Sequence, residues 1–562
     1  MSETPSAPAT PEPEGPPPRA RAGTGKDSGR PTASADATPE GKADRPEPIP
    51  GGPARTPSRP APSPPGPPPS SPLIDFGPGD PAPIRTATLW AALATGLLSM
   101  VLLGDGLAIN LLFVAVPAAL AVYAAGRRAG RRPRPWALVW GAGGLALLAV
   151  PALRAAEWPS FLAVVTAFAA GSLALHGGRT WPAVLLGPVG VFTSLVTGPA
   201  WAWQGLRERM GGNRGRLAPL LRAFVVAAIL LFVFGALFAG ADAAFADLLG
   251  ALVPDVSVTD GPWRFLLLAL GLFGTLAAAR TAAAPARWDR LQVPVGRARG
   301  RVEWALPLVG LIGLFAVFNA VQLAVLFGGY DAVLKETGQT YAQYARQGFW
   351  QLLMATLLTL LVIVIALRWA PRTRPSDRTL VRGVLGTLCA LALVVVASAV
   401  RRMDMYVEAY GLTRLRISVL TMELWLGLVI VLIMAAGVWG ARWLPRAVAA
   451  SAVAVVLAFG LVSPDGLIAE RNVERYETTG RFDLPYAKGL SADAVPALDR
   501  LEEPMRSCSL WSIKEELDER RHVPWYATSW GEAEARRILE ERPPTGGASG
   551  PACDELGPEY YR

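Results

Sequence analysis

The side chains best equipped for chemistry fall in two polar stretches, read as loops between apolar runs. The first, Gly328 to Gln347, holds Tyr330, Asp331, Tyr341, Tyr344 and Arg346. The second reads Arg401-Arg402-Met403-Asp404-Met405-Tyr406-Val407-Glu408-Ala409-Tyr410-Gly411-Leu412-Thr413-Arg414-Leu415-Arg416. Guanidinium forks match the oxygens of phosphates and carboxylates. One reading is therefore a site for an anionic small molecule or a lipid headgroup, built from Arg346, Arg402, Arg414 and Arg416 with Tyr341, Tyr344, Tyr406, Tyr410 and Thr413. The other is structural: arginine–carboxylate pairs and interfacial tyrosines tie the stretch to the C-terminal region. Asp404, Glu408 and the acidic residues further along the chain are then the partners.

Three aspartates, Asp465, Asp483 and Asp493, follow in that C-terminal region. Such carboxylates serve as general acids or bases, or as oxygen ligands for Mg²⁺ or Ca²⁺, but their spacing matches no mechanistic motif. Asn319 and Gln322, three apart, share one helix face and bond across helices or line a pathway. Within the apolar runs no carboxylate is expected at mid-span, Asp242 and Asp247 lying close to one end of theirs. A proton-coupled carrier with a midplane carboxylate loses support on that ground. The GxxxxGK[ST], HExxH, GxSxG and CxxC signatures do not occur. Three cysteines and two histidines are too few for a Cys/His metal cluster, and His176 and His522 read as packing or surface residues. No cofactor and no metal are expected.

What positions these residues is a membrane. Only 18% of the 562 residues are charged against 51% hydrophobic, and the apolar residues lie in runs rather than at core periodicities. A spanning helix needs roughly 17–25 residues. The candidates are Ala87–Leu103, Leu107–Ala125, Trp136–Leu153, Phe161–His176, Ala223–Gly240, Trp263–Ala279, Trp304–Phe327, Phe349–Ala370, Thr379–Val400, Ile417–Trp439 and Arg446–Val462. A twelfth run, Trp181–Trp203, is broken by Pro182, Gly187, Pro188, Gly190, Gly198 and Pro199 and reads as re-entrant or interfacial. The fold class is all-α, a polytopic bundle of about 11 transmembrane helices, or 12 if that run crosses.

The net charge of +9 does not point to nucleic acid, because the arginines cluster between the runs. Arg127, Arg128, Arg131, Arg132 and Arg134 fill one loop, and later alternate loops repeat the pattern. The intervening loops Gly104–Gly106 and Ala241–Pro262 carry aspartate and no Lys or Arg. The positive-inside rule then puts the N-terminus in the cytoplasm and, with an odd number of spans, the C-terminus outside. Arginine far outnumbers lysine and Ala, Gly and Pro abound, which suggests a GC-rich bacterial genome and a bacterial plasma membrane.

The chain divides into a disordered Pro-rich tail over 1–84, too polar to offset its chain entropy, a helix bundle over 85–463, and a soluble C-terminal region over 464–562. Ser491, Ser512 and Ser529 read as N-caps of short helices near Ala492–Leu501, Ile513–Arg521 and Glu532–Glu541. Cys508 and Cys553 form a disulfide if this region is extracytoplasmic, and remain free thiols if it is not.

Several segments resemble a bacterial family of multi-pass membrane proteins labelled only as a domain of unknown function. They are Phe318-Asn319-Ala320-Val321-Gln322, Thr340-Tyr341-Ala342-Gln343-Tyr344-Ala345-Arg346, Tyr410-Gly411-Leu412-Thr413-Arg414-Leu415-Arg416, Pro464-Asp465 and Asn472, with Asp483, Tyr486, Ser491 and Asp493. The resemblance covers roughly Trp304 to Pro496. It implies that the two polar stretches and the start of the C-terminal region form one unit, and it implies no reaction or ligand. The leading expectation is a non-enzymatic, transporter-like or envelope-associated membrane protein. A membrane-embedded enzyme on a lipid-linked or phosphorylated substrate, and a sensor or scaffold, are the alternatives. The bilayer is the expected partner, and nucleic acid is not.

Overall fold

A computed structural model describes residues 79–132, 134–209, 261–291, 298–328, 341–371 and 374–545, with isolated positions between 223 and 245 and at Cys553. The Pro-rich tail up to residue 78, most of the run Ala223–Gly240 and the stretch 329–340 lie outside the described residues.

Long apolar runs, with backbone groups that hydrocarbon cannot satisfy, must close their hydrogen bonds internally, so they become helices. Those used below are α1 (Thr86–Leu102), α2 (Asn110–Arg128), α3 (Pro135–Leu148), α4 (Glu157–His176), α5 (Ser194–Arg209), α6 (Gly261–Ala283), α7 (Arg301–Gly328), α8 (Tyr341–Trp369), α9 (Pro375–Tyr410), α10 (Arg414–Trp439) and α11 (Leu444–Leu461). The C-terminal region adds α12 (Pro464–Thr479), α13 (Met505–Glu519) and α14 (Trp530–Glu541). Among the described residues there is no strand, and ten helical stretches are long and apolar enough to cross a membrane, with α1 a shorter apolar helix. Large apolar side chains such as Trp90, Phe161, Phe168, Leu306 and Val364 face outward, as hydrocarbon contact requires.

Contacts between helix ends sort the ends into two faces. On one, Asp289 accepts the backbone N–H groups of Arg179 and Thr180 at 2.9 and 3.2 Å. There too Arg446 donates to the Gly178 carbonyl at 3.1 Å and stacks on Trp136. Arg301 bonds Asp377 and Ser376 at 2.6 and 2.7 Å, and the Arg299 N–H reaches the Trp369 carbonyl. On the other face, Arg264 pairs with Asp105 at 2.9 Å, and Arg154 at the end of α3's extension bonds the Leu461 carbonyl.

The broken run is helical throughout: Trp181–Leu186, a 3-10 turn over Gly187–Thr193, then α5. By length and composition it is one of the ten stretches, yet both of its ends meet the arginine-rich face. Thr180 bonds Asp289 at one end. At the other, Trp201 donates to the Ala82 carbonyl at 3.0 Å, and Arg209 bonds the Ile84 carbonyl just before α1. Its middle packs on the ends of α4 and α6, where Ser172 reaches the Gly187 carbonyl and the hydroxyls of Thr281 and Ser194 are hydrogen-bonded at 2.9 Å. Its two ends therefore lie on one face of the bundle. The chain thus stands at Arg209 on one face and at Arg264 on the other.

Two sequence expectations need correction. The second polar stretch is not a loop: α9 runs on through Tyr410, 36 residues in all, about 54 Å at 1.5 Å per residue against a hydrocarbon core of about 30 Å. Hydropathy falls at Arg401, but nothing there breaks a helix until Gly411. In the C-terminal region, Ser512 caps nothing; α13 starts at Met505, and the Ser512 hydroxyl donates to the Lys488 carbonyl at 2.8 Å. Ser529 does cap α14, in a reciprocal box with Glu532. The Ser491 segment is a 3-10 turn at Ala492–Ala494 followed by the short helix Val495–Leu498.

Candidate functional site

The C-terminal region sits on the aspartate-bearing face. Its apolar core of Ile468, Val473, Phe482, Val495, Leu498, Leu510 and Ile513 is continuous with Leu412 and Ile417 at the α9–α10 turn. Helix α12 acts as a splint across that turn. Asn472 clasps Leu412 from both sides, accepting its N–H at 2.7 Å and donating to its carbonyl at 3.0 Å. Arg475 donates to the Glu408 and Ala409 carbonyls at 3.2 and 2.7 Å, satisfying terminal acceptors of α9 with a cation at the negative end of its dipole.

At the centre lies Asp465, which is 0% exposed. Its two oxygens receive the Arg414 guanidinium, through Nε at 2.9 Å and through Nη2. The Trp158 indole N–H from α4 adds a bond at 3.1 Å and the Ser491 N–H another at 3.0 Å. Burial alone would raise this carboxyl, but the arginine and the two N–H donors outweigh it and hold it below the ordinary aspartate range. The backbone N–H of Arg414 donates to the Tyr486 hydroxyl at 2.7 Å. One carboxylate thus joins α4, α10, α12 and the Ser491 turn.

Asp493 makes a second junction. Its carboxylate, 8% exposed, accepts the N–H groups of Ala155 and Ala156 at 3.0 to 3.1 Å. It therefore anchors the two residues that lead into α4 from a distant part of the chain, a negative charge beside the positive end of that helix. Gly531 leaves room for it, since a Cβ there would lie 2.0 Å from Asp493 Oδ1. Burial pushes the Asp493 carboxyl up, against the pull of the two N–H groups and Arg154, and nearby Asp465 adds to the rise. Asp483 is a local cap, accepting the Tyr486 N–H at 3.1 Å.

The arginines of the second stretch divide. Arg416 stacks over Tyr406 at 4.1 Å and reaches Tyr410 at 5.9 Å, while its guanidinium bonds the Gly411 carbonyl. Thr413 caps α10 by accepting the Arg416 N–H at 3.4 Å. Arg402 is buried against Gly348 of α8, where an added methyl would collide with its guanidinium. Tyr341, Tyr344 and Arg346 lie on α8, with side chains outside the described residues. Of the carboxylates expected as arginine partners, Asp404 and Glu408 form no ion pair among the described residues, whereas Asp465 of the C-terminal region pairs with Arg414.

Deeper in the bundle, Asn319 on α7 donates to the Leu391 carbonyl of α9 at 3.0 Å, a bond between helices, with Gln322 half-buried beyond it. The sequence reading, which expects no carboxylate at mid-span, passes over one that stands nearer the start of a span. Glu423 lies inside α10, 0% exposed, with Thr356 Oγ1 of α8 at 3.0 Å from its Oε1. A run scored by average hydropathy absorbs one glutamate without trace, and only reading α10 residue by residue finds it. Cys508 and Cys553 are joined as a disulfide, Cα atoms 5.7 Å apart. Among the described residues no group of three or more His, Cys, Asp or Glu is placed to hold a metal ion.

A family model described as a domain of unknown function (DUF4153) matches residues 141–501. The match takes in α4, α10, α12 and the Asp465 and Asp493 junctions, and reaches well before Trp304, where the resemblance read from the sequence begins. Among curated proteins nothing matches, and among solved structures nothing matches.

Proposed function

The chain belongs to the DUF4153 family, a domain of unknown function, and from that premise we propose a transporter-like, non-enzymatic protein of the bacterial cell envelope. In this reading the C-terminal region is a fixed cap on the extracytoplasmic end of the helix bundle. The observation that carries it is the buried Asp465, bonded at once to Arg414, Trp158 and Ser491. Bonds of that kind make the region part of the bundle's architecture, whereas a tethered enzyme domain would leave its carboxylates open to substrate.

Each aspartate that general acid–base or metal chemistry would require is already occupied. Asp465 is paired, Asp493 holds the two residues leading into α4, and Asp483 caps its own short helix. Arg414 and Arg416 are also engaged within the chain, which favours the structural reading of the cluster. Capture of an anionic small molecule or headgroup here would require Arg414 to leave Asp465. The orientation follows from charge: the face with Arg127, Arg128, Arg299, Arg301 and Arg446 suits the cytoplasm, and the opposite face the exterior. The Cys508–Cys553 disulfide fits an oxidising compartment.

The test is electrical. Purified full-length protein in solid-supported membranes is challenged with gradients of small anions and zwitterions. A solute-dependent current supports the carrier reading. Metal-dependent turnover of a lipid-linked phosphate, lost in Asp483→Asn, replaces it with the enzyme.

A further inference from the structure

Glu423 is enclosed on all sides within the bundle. It stands roughly 13 Å along α10 from Arg414 at 1.5 Å per residue, well inside a hydrocarbon layer of about 30 Å. One turn away on its own helix lie Leu420, Leu426 and Gly427, and Leu420 and Leu426 pack in an apolar cluster with Leu352, Leu353 and Ala399 of α8 and α9. An ionised carboxylate in such a place is costly unless it is paired.

The hydrogen inventory is the informative part. Thr356 Oγ1 lies 3.0 Å from Glu423 Oε1 and 3.1 Å from the carbonyl oxygen of Leu352, one helical turn back. A hydroxyl carries one hydrogen, and a threonine within a helix commonly gives it to the carbonyl four residues earlier. With that hydrogen committed to Leu352, the Glu423 contact needs a hydrogen from the carboxyl. The second oxygen, Oε2, is buried and has no hydrogen-bond partner among the described residues. An ionised carboxylate would leave it bare; a neutral acid halves the problem.

No cation among the described residues forms an ion pair with Glu423. The helices packed against α10 are α8, α9, α11 and α12. Titratable groups with described side chains on those helices include Arg368 on α8, Cys389, Arg402, Asp404 and Tyr406 on α9, Arg446 on α11 and Asp465 on α12. Arg402 lies against Gly348, Arg446 reaches Gly178, and Asp465 is bound to Arg414.

We propose that Glu423 is an intramembrane proton-binding site: a neutral carboxylic acid at physiological pH whose Oε1–H donates to Thr356 Oγ1. The ligand is a proton. Exchange of that proton with solvent is what the D₂O arm of the experiment below reads. The site does not depend on the carrier reading above, since a proton is held whether or not a solute moves.

The experiment is infrared difference spectroscopy on full-length protein in lipid, with pH steps and H₂O/D₂O exchange. The expected result is a protonated-carboxyl C=O band at neutral pH that shifts in D₂O and is lost in Glu423→Gln, while thermal stability and helicity stay near wild type. Gln is isosteric with the neutral acid, so it replaces the proposed species and not the carboxylate. If Glu423→Gln fails to fold, Thr356→Val carries the test, because losing the acceptor must shift the band. A wild-type spectrum without such a band, or a band unmoved by both variants, overturns the proposal.

Discussion

Arg414 opens α10 and Asp465 opens the first helix beyond the bundle, and the guanidinium of one grips both carboxylate oxygens of the other. The pair is asymmetric, with the Arg414 side chain 39% exposed and that of Asp465 not at all. Removing either partner should therefore have different consequences.

Arg414→Met strands a buried carboxylate and should cost about 3 kcal/mol, the low end for a broken buried pair, since Ser491 and Trp158 still donate. Asp465→Asn leaves an arginine that reaches water and should cost less, about 1–3 kcal/mol. Thermal unfolding in detergent measures both. Limited proteolysis should release the C-terminal region faster from Arg414→Met than from wild type.

Acid should act on the two aspartates in opposite senses. Asp465 is held below its ordinary value of 3.8 by Arg414 and the N–H donors despite burial. Its contribution is present above the unfolded-state value and is lost as pH falls through the lower folded value. Asp493 is raised, chiefly by burial, so the folded state takes up that proton first and stability rises as pH falls from its folded value towards 3.8. Wild type should gain stability in mild acid and lose it in stronger acid. Asp493→Asn should abolish the gain, and Asp465→Asn the loss, in melting curves taken across pH.

Gly531→Ala puts a methyl where Asp493 Oδ1 stands. Neither side of that contact has room, because the carboxylate is held by Ala155 and Ala156. A cost of about 1–3 kcal/mol is expected from the overpacking. An alanine at exposed Gly480 has no neighbour to meet but must adopt a positive φ; its effect should be local fraying of α12, leaving proteolytic release of the C-terminal region unchanged.

The Cys508–Cys553 bond closes a separation of 45 residues, which by loop entropy contributes about 4 kcal/mol. A Cys553→Ser variant should melt earlier, and reductant should lower wild type to match it. Non-reducing peptide mapping checks that the bond forms in cells.

Much of this architecture was legible in the residues because hydropathy and charge act over long runs. The apolar runs outside the undescribed Ala223–Gly240 coincide with helices, and the prolines and glycines of Trp181–Trp203 marked the segment whose ends share a face. Side-chain pairing was less legible. Nothing in spacing links Asp493 to Ala155, 338 residues away, and Arg475 as a cap for α9 needs the fold before it has meaning. The continuation of α9 past Arg401 was hidden because a helix follows backbone preference after leaving the hydrocarbon. Glu423 was hidden for the opposite reason, one carboxyl being outvoted by its leucines.

The central claim is that the C-terminal region caps the extracytoplasmic end of the bundle. A periplasm-active reporter fused after Arg562, with a cytoplasm-active reporter as matched control, tests it most directly. Activity of the first and silence of the second are expected. The reverse pattern would put the Asp465 junction in the cytoplasm, leave Cys508 and Cys553 in a reducing compartment, and contradict the orientation on which the proposed function rests.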